Sequence, residues 1–133
     1  MRPALHNFRQ LTTVEPVQWV AIIEEVALQW SVQKSDIESA SRFRAFVEAR
    51  DACCALAMQL TRLGFQDVAN KLGHGRSHSM VSNAVKRAEK RFRDEPEWAE
   101  IYMRCLKRLI RNHWGLDKRP TVLVKPEERK VAG

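Results

Sequence analysis

With 133 residues, 44% of them hydrophobic and only 5 Gly and 5 Pro, the chain suits one small domain with flanking segments. No apolar run is long enough to span a bilayer, and no basic region followed by an apolar stretch marks a signal peptide. The net charge of +7 is unevenly placed: residues 1–70 hold 7 Lys and Arg against 8 Asp and Glu, and residues 71–133 hold 16 against 8, so the excess lies wholly in the second half and points to a polyanionic partner, with a solvated basic surface that only aids solubility as an equal alternative on charge alone.

Residues 1–13 lack periodicity and are expected to form a flexible N-terminal arm. A helix is expected to begin near Thr13-Val14-Glu15-Pro16, where Thr or Glu can cap and Pro fits the first turn. Val20, Ile23, Ala27 and Trp30 recur at helical spacing, and Ser31 breaks the run. Ser35-Asp36-Ile37-Glu38 reads as a short helical turn, and Ser39-Ala40-Ser41-Arg42-Phe43-Arg44 as a polar, basic connection. The next helix carries one stripe of Phe46, Ala49, Cys53, Leu56, Leu60 and Leu63, with Gly64 ending it in the usual C-terminal position.

Phe65, Val68, Ala69 and Leu72 give a short helix with one buried face. Gly73-His74-Gly75 makes a turn, and Ser77 is a natural N-cap for the following helix, whose back is Val81, Ala84, Val85, Ala88 and Phe92. Asp94 is expected to cap a last helix with Trp98, Ile101, Tyr102, Cys105, Leu106, Leu109 and Ile110 on its apolar face, ended by Gly115. Residues 113–133 are expected to be a flexible C-terminal tail, with a short partner-binding strand around Thr121-Val122-Leu123-Val124 as the weaker alternative. No repeat and no alternating strand pattern occurs in residues 14–112, so this segment is expected to form one all-α domain.

The two short helices around Gly73-His74-Gly75 have the design of a helix-turn-helix reader of DNA. A helix that enters the major groove buries one side and offers short polar groups from its first turns. With Val81, Ala84, Val85 and Ala88 inside, Ser79, Ser82, Asn83, Lys86 and Lys90 fall outside. Asn pairs bidentately with adenine N6 and N7, and Ser meets base edges or phosphates. Lys86, Arg87, Lys90 and Arg91 are spaced to straddle a phosphate backbone, and Arg76, just before the helix, is placed to reach a phosphate or a guanine. The alternative is an ordinary amphipathic helix with a solvated charged face.

The segment Gly73-His74-Gly75-Arg76-Ser77-His78-Ser79-Met80-Val81, continuing to Lys86-Arg87-Ala88-Glu89, resembles the G-G-R-D-H-T-T-V signature and basic helix of domain IV of DnaA, the bacterial chromosomal replication initiator. Upstream, Ser39-Ala40-Ser41-Arg42-Phe43-Arg44 is similar to the family's S-K-x-R-x-R basic loop, followed by a long helix that reaches Leu60-Thr61 where the family has L-T. Gly64-Phe65-Gln66-Asp67-Val68-Ala69-Asn70-Lys71-Leu72-Gly73 is similar to S-L-P-E-I-G-x-x-F-G. The match runs without a gap from about Ile22 to Gly73, takes one extra residue near His74 and continues to about Phe92.

The resemblance implies an all-α helical bundle with a helix-turn-helix, TrpR/DnaA domain IV-like, that binds double-stranded DNA as a monomer on an asymmetric box. It implies Arg42 in the minor groove, Arg44 supporting it on the backbone, and His78 on a thymine. Ser79 keeps the hydroxyl of the first motif threonine, and Asn83 stands where relatives often have a second DNA-facing histidine. The chain departs from the pattern where Ser77 replaces an aspartate that accepts from a cytosine amine, where Met80 replaces the second threonine, and where Gln66 replaces a proline. Each lost base contact costs ~1–3 kcal/mol of discrimination. The changes together are enough to remove preference for the usual box, so duplex binding is the stronger implication.

The sequence holds no G-x-x-x-x-G-K-[ST] phosphate loop, which sets the expectation of a reader domain without the ATPase module. His6, His74, His78 and His113 are scattered, no nucleophile motif occurs, and Glu24-Glu25 and Glu127-Glu128 read as solvated, so neither an enzyme nor a cofactor or metal is expected. Adjacent Cys53 and Cys54, with Cys105, fit buried free thiols in a reducing cytoplasm. Trp19, Trp30 and Trp98 are assigned to core packing rather than to stacking on single-stranded bases, Trp114 being the least determined. The expected DNA-binding set is Arg42, Arg44, Arg76, Ser77, His78, Ser79, Ser82, Asn83, Lys86, Arg87 and Lys90. The expected function is sequence-specific duplex binding in the bacterial cytoplasm or nucleoid that regulates or assists replication initiation. The alternatives are an adaptor for replication or nucleoid proteins that no longer reads DNA, and a transcriptional repressor.

Overall fold

The computed structural model describes residues 17–114, and every regular element among them is a helix. In chain order these are α1 (Trp19–Trp30), α2 (Lys34–Glu38), α3 (Arg44–Leu60), α4 (Phe65–Leu72), α5 (His78–Asp94) and α6 (Pro96–Trp114). The arm at 1–13, the helix start at 13–16, Gly115 and the segment after it lie outside the described residues, as does the side chain of Trp114.

The first helix begins later than the sequence suggests, at Trp19, with Gln18 still extended. Its buried stripe is Trp19, Ile22, Ile23, Val26 and Trp30, while Val20 is 52% exposed. The stripe is turned by one residue because the large side chains, rather than Val20 and Ala27, compete for the core. Ser31 does stop the helix, in a left-handed conformation that returns its N–H to the carbonyls of Ala27 and Leu28.

α3 is the central element and packs against α1, α2, α5 and α6. One apolar stripe does not describe it: from Ala49 to Leu60 every residue but Arg50 and Met58 is buried, on all sides of the helix. A helix enclosed all round loses the amphipathic signature. Its alanines and cysteines are small enough for neighbours to approach closely. α3 ends at Leu60 with an extended Thr61 cap, so Gly64 is not its C-terminal glycine; Gly64 instead starts α4, its N–H held by Asp67 Oδ2 at 3.0 Å.

Asp94 likewise belongs to the end of α5, where it pairs with Lys90 at 3.1 Å, and Glu95 makes the bend into α6. α6 returns along α1, α3 and α5. Its Trp98 stacks on Tyr102 at 5.0 Å, lies 5.9 Å from Trp30 and donates to the Glu48 carbonyl at 3.1 Å. Tyr102 in turn donates to Gln59 on α3. Trp19, Trp30 and Trp98 are thus core residues. The three cysteines are free and buried, and burial pushes the thiols of Cys54 and Cys105 up to about 12, which leaves them protonated and inert.

Candidate nucleic-acid interface

α4 and α5 pack against each other through Val68, Ala69 and Leu72 on one side and Val81, Ala84, Val85 and Ala88 on the other. The link between them is tight. Gly73, His74 and Gly75 all have positive φ, at 76°, 57° and 66°. Gly73 combines its φ with ψ −160°, a region open in practice only to glycine. Ser77 then caps α5, its hydroxyl accepting from Met80 N–H at 3.3 Å, as its position before an apolar period requires.

The front of α5 is open. His78, Ser79, Met80, Asn83, Lys86 and Lys90 are exposed and Ser82 is half-buried, while Val81, Ala84, Val85 and Ala88 are buried. Met80, at 51% exposure, is one of four large apolar side chains left outside among the described residues, and Phe43 of the basic connection, at 63%, is another. Lys90 pairs with Asp94 across an exposed helical turn, a contact worth at most ~1 kcal/mol that leaves the ammonium available.

Facing this helix is the connection between α2 and α3. Arg42 is exposed there and lines a groove of about 430 Å³ together with His74, Met80, Asn83 and Arg87. The end of α2 and the connection are gripped by two arginines. Arg50 on α3 donates through Nε to the Ile37 carbonyl at 2.7 Å and through Nη2 to those of Ser39 at 2.9 Å, Ser41 at 3.2 Å and Asp36 at 3.3 Å. Arg76 donates to the backbone carbonyls of Glu38 at the end of α2, of Ser39 on the connection, and of Leu72 and Gly73 at the end of α4. Burial lowers both guanidinium pKa values, and the Arg76 charge lowers that of Arg50 further, yet both stay cationic.

The structure therefore separates the sequence-derived set. Arg42, Asn83 and Arg87 come together across one groove, and Ser77, His78, Ser79, Ser82, Lys86 and Lys90 follow along the same helix. Arg44 sits apart, 77% exposed and tied to Glu48 at 2.7 Å, with Glu95 at 3.9 Å. Arg76 is turned inward on carbonyl oxygens. Arg91, counted among the phosphate-facing basic residues, is 16% exposed and is enclosed by Asp51, Glu95 and Glu48. Arg50 and Asp51 were not anticipated. The available signal was a charged pair inside the most apolar stretch of the chain, where charge persists only if paired.

Among the described residues no group of three or more His, Cys, Asp or Glu is arranged to hold a metal ion, and no helix is long and apolar enough to cross a membrane.

The family model for the bacterial DnaA protein helix-turn-helix matches residues 20–88, which include α2 to α4, nearly all of α1 and the first eleven residues of α5. The chain is 32% identical over 101 residues to the chromosomal replication initiator protein DnaA of Pelobacter propionicus, covering 76% of this chain and 21% of that protein. It is 29% identical over 98 residues to the DnaA of Geotalea uraniireducens, covering 74% and 20%, and 32% identical over 89 residues to that of Caulobacter vibrioides, covering 67% and 17%. It thus spans about a fifth of the length of these relatives. By the match across α1 to α5 and by these identities, the chain belongs to the bacterial DnaA helix-turn-helix family.

Proposed function

We propose that this protein binds double-stranded DNA sequence-specifically and regulates or assists the initiation of replication, acting in the bacterial cytoplasm at the nucleoid and without catalysis of its own. The observation that carries the reading is the pairing of an open, polar α5 front with Arg42 on the opposite wall of one groove. α5 lies in the major groove in this reading. His78, Ser79, Ser82 and Asn83 face bases, with Asn83 suited to adenine. Ser77 orders the first turn and stands near the same bases. Arg42 enters the adjacent minor groove, where negative potential favours a guanidinium. Arg44, Lys86, Lys90 and the outer edge of Arg87 meet phosphates, and Arg76 works from behind by fixing the connection that carries Arg42.

Selection from random duplex DNA, followed by binding at several salt concentrations, tests this reading. An enriched sequence is expected, and Arg42→Ala and His78→Ala are each expected to weaken binding to it about tenfold. Both side chains are exposed, so the fold is expected to survive both changes. Weak binding with a steep salt slope and no enriched sequence would leave only charge-driven contact, and would favour the adaptor for replication or nucleoid proteins. An enriched site found at promoters would favour the repressor.

A further inference from the structure

We infer that Asp51 is a positioning residue for DNA binding: its buried carboxylate aims Arg87 of α5 at a backbone phosphate. This rests on α5 being the DNA-reading helix. Asp51 is fully buried in the middle of α3. It accepts from Arg87 Nη2 at 3.0 Å and Nε at 3.2 Å, and from Arg91 Nε at 3.1 Å. Arg87 and Arg91 are one turn apart on α5, so two guanidiniums of one ridge converge on a single acid.

The two arginines then differ. Arg91 is 16% exposed and also bonds Glu95 at 3.0 Å and 3.2 Å, with Glu48 at 3.8 Å, so its charge is neutralised inside the domain. Arg87 is 50% exposed and lines the groove with Arg42 and Asn83. Asp51 is its only hydrogen-bond partner among the described residues, and Nη1 is unused. A planar guanidinium held along its Nε–Nη2 edge has its remaining edge fixed in direction, and that edge matches a phosphate oxygen.

Stability alone does not account for an acid at this place. Burial pushes the Asp51 carboxyl up, and Arg87 and Arg91 pull it back only in part. Buried ion pairs can be replaced by apolar groups with little or no loss of stability. Aiming a phosphate contact does account for it, since a surface arginine without a fixed partner loses side-chain entropy when it binds.

The sign of one measurement decides. Asp51→Asn keeps size and removes a negative charge, raising the net charge by one from +7. By charge alone this variant binds any duplex more tightly. If Asp51 aims Arg87, affinity for the selected duplex instead falls about tenfold, the scale of one charge-assisted hydrogen bond, while affinity for unselected duplex holds or rises. Arg87→Lys keeps the charge but loses the fork. It is expected to show the same loss with an unchanged salt slope, whereas Arg87→Ala lowers the slope by about one. Circular dichroism and thermal unfolding check the fold, and if Asp51→Asn fails to fold, wild-type binding of the selected duplex by Arg87→Lys, a surface change, still overturns the inference. Wild-type or tighter binding of the selected duplex by the folded variants overturns the inference while leaving duplex reading intact. Failure of the wild type to select any sequence removes the reading itself, and this inference with it.

Discussion

The connection around Ser39 to Arg42 and the front of α5 form the two walls of one groove, yet they are built in opposite ways. Around the connection the backbone is held: of six carbonyl contacts from Arg50 and Arg76, three go to Asp36, Ile37 and Glu38 at the end of α2 and three to Ser39 and Ser41 on the connection, and Arg42 follows that held stretch. On α5, helical geometry already fixes the backbone, and the side chains at His78, Ser79, Asn83 and Lys86 are left open to solvent. An irregular segment has no periodic hydrogen bonds of its own, so its backbone has to be braced from elsewhere. The helix backbone needs no brace, and its outward side chains at His78, Ser79, Asn83 and Lys86, unlike Arg87 held by Asp51, are tied to no other described residue.

The largest test of this contrast is Arg50→Ala. Four carbonyls lose a charged donor, and the variant is expected to lose about 3 kcal/mol, a fall of more than 10 °C in Tm. Lys86→Ala, on the open wall, is expected to change stability by less than about 0.5 kcal/mol and to weaken DNA binding instead. Thermal unfolding of the two variants side by side breaks the comparison if they fall together.

Gly73→Ala comes next. No atom stands within 4 Å of the added Cβ, so no collision is involved. The cost is conformational, since φ 76° with ψ −160° excludes a side chain, and about 1–3 kcal/mol is expected in urea unfolding. The helix α5 then enters at a changed angle, so base discrimination is expected to fall further than stability does. A variant with wild-type selectivity would show that the turn links the two helices without setting their angle.

These features were unequally legible in the sequence. The back of α5 was readable residue by residue, because one face is buried and the period is clean: Val81, Ala84, Val85, Ala88 and Phe92 are all inside. Ser77 as cap and the turn at Gly73-His74-Gly75 followed from local chemistry. α3 was not readable in the same way, since burial on every side erases the period, and Gly64 and Asp94 were misassigned because each is a plausible cap for either of two neighbouring elements. The exposed front of α5 was visible because outward polar residues are named by the same period that names the core. Its braces were not. Arg76 to Ser39 and Arg87 to Asp51 join residues 37 and 36 positions apart, and no local rule distinguishes an arginine that grips the protein from one that reaches for a phosphate.

The smallest expected effect lies at the start of α5. Ser77 caps α5 through a 3.3 Å contact with Met80 N–H and is itself exposed. Ser77→Asp restores the acid found at this place in the resembling signature. A carboxylate caps at least as well and meets the helix N-terminus favourably, so stability is expected to rise by about 0.3–1 kcal/mol. The larger consequence concerns reading. An acid accepts from a cytosine amine, which a hydroxyl does less selectively, and a new preference for cytosine at one position of the selected site is expected without loss of the others. Repeating the selection with this variant measures it. A gain in stability with an unchanged site would mean that the first turn of α5 stands back from the bases, and that reading begins at Ser79 and Asn83.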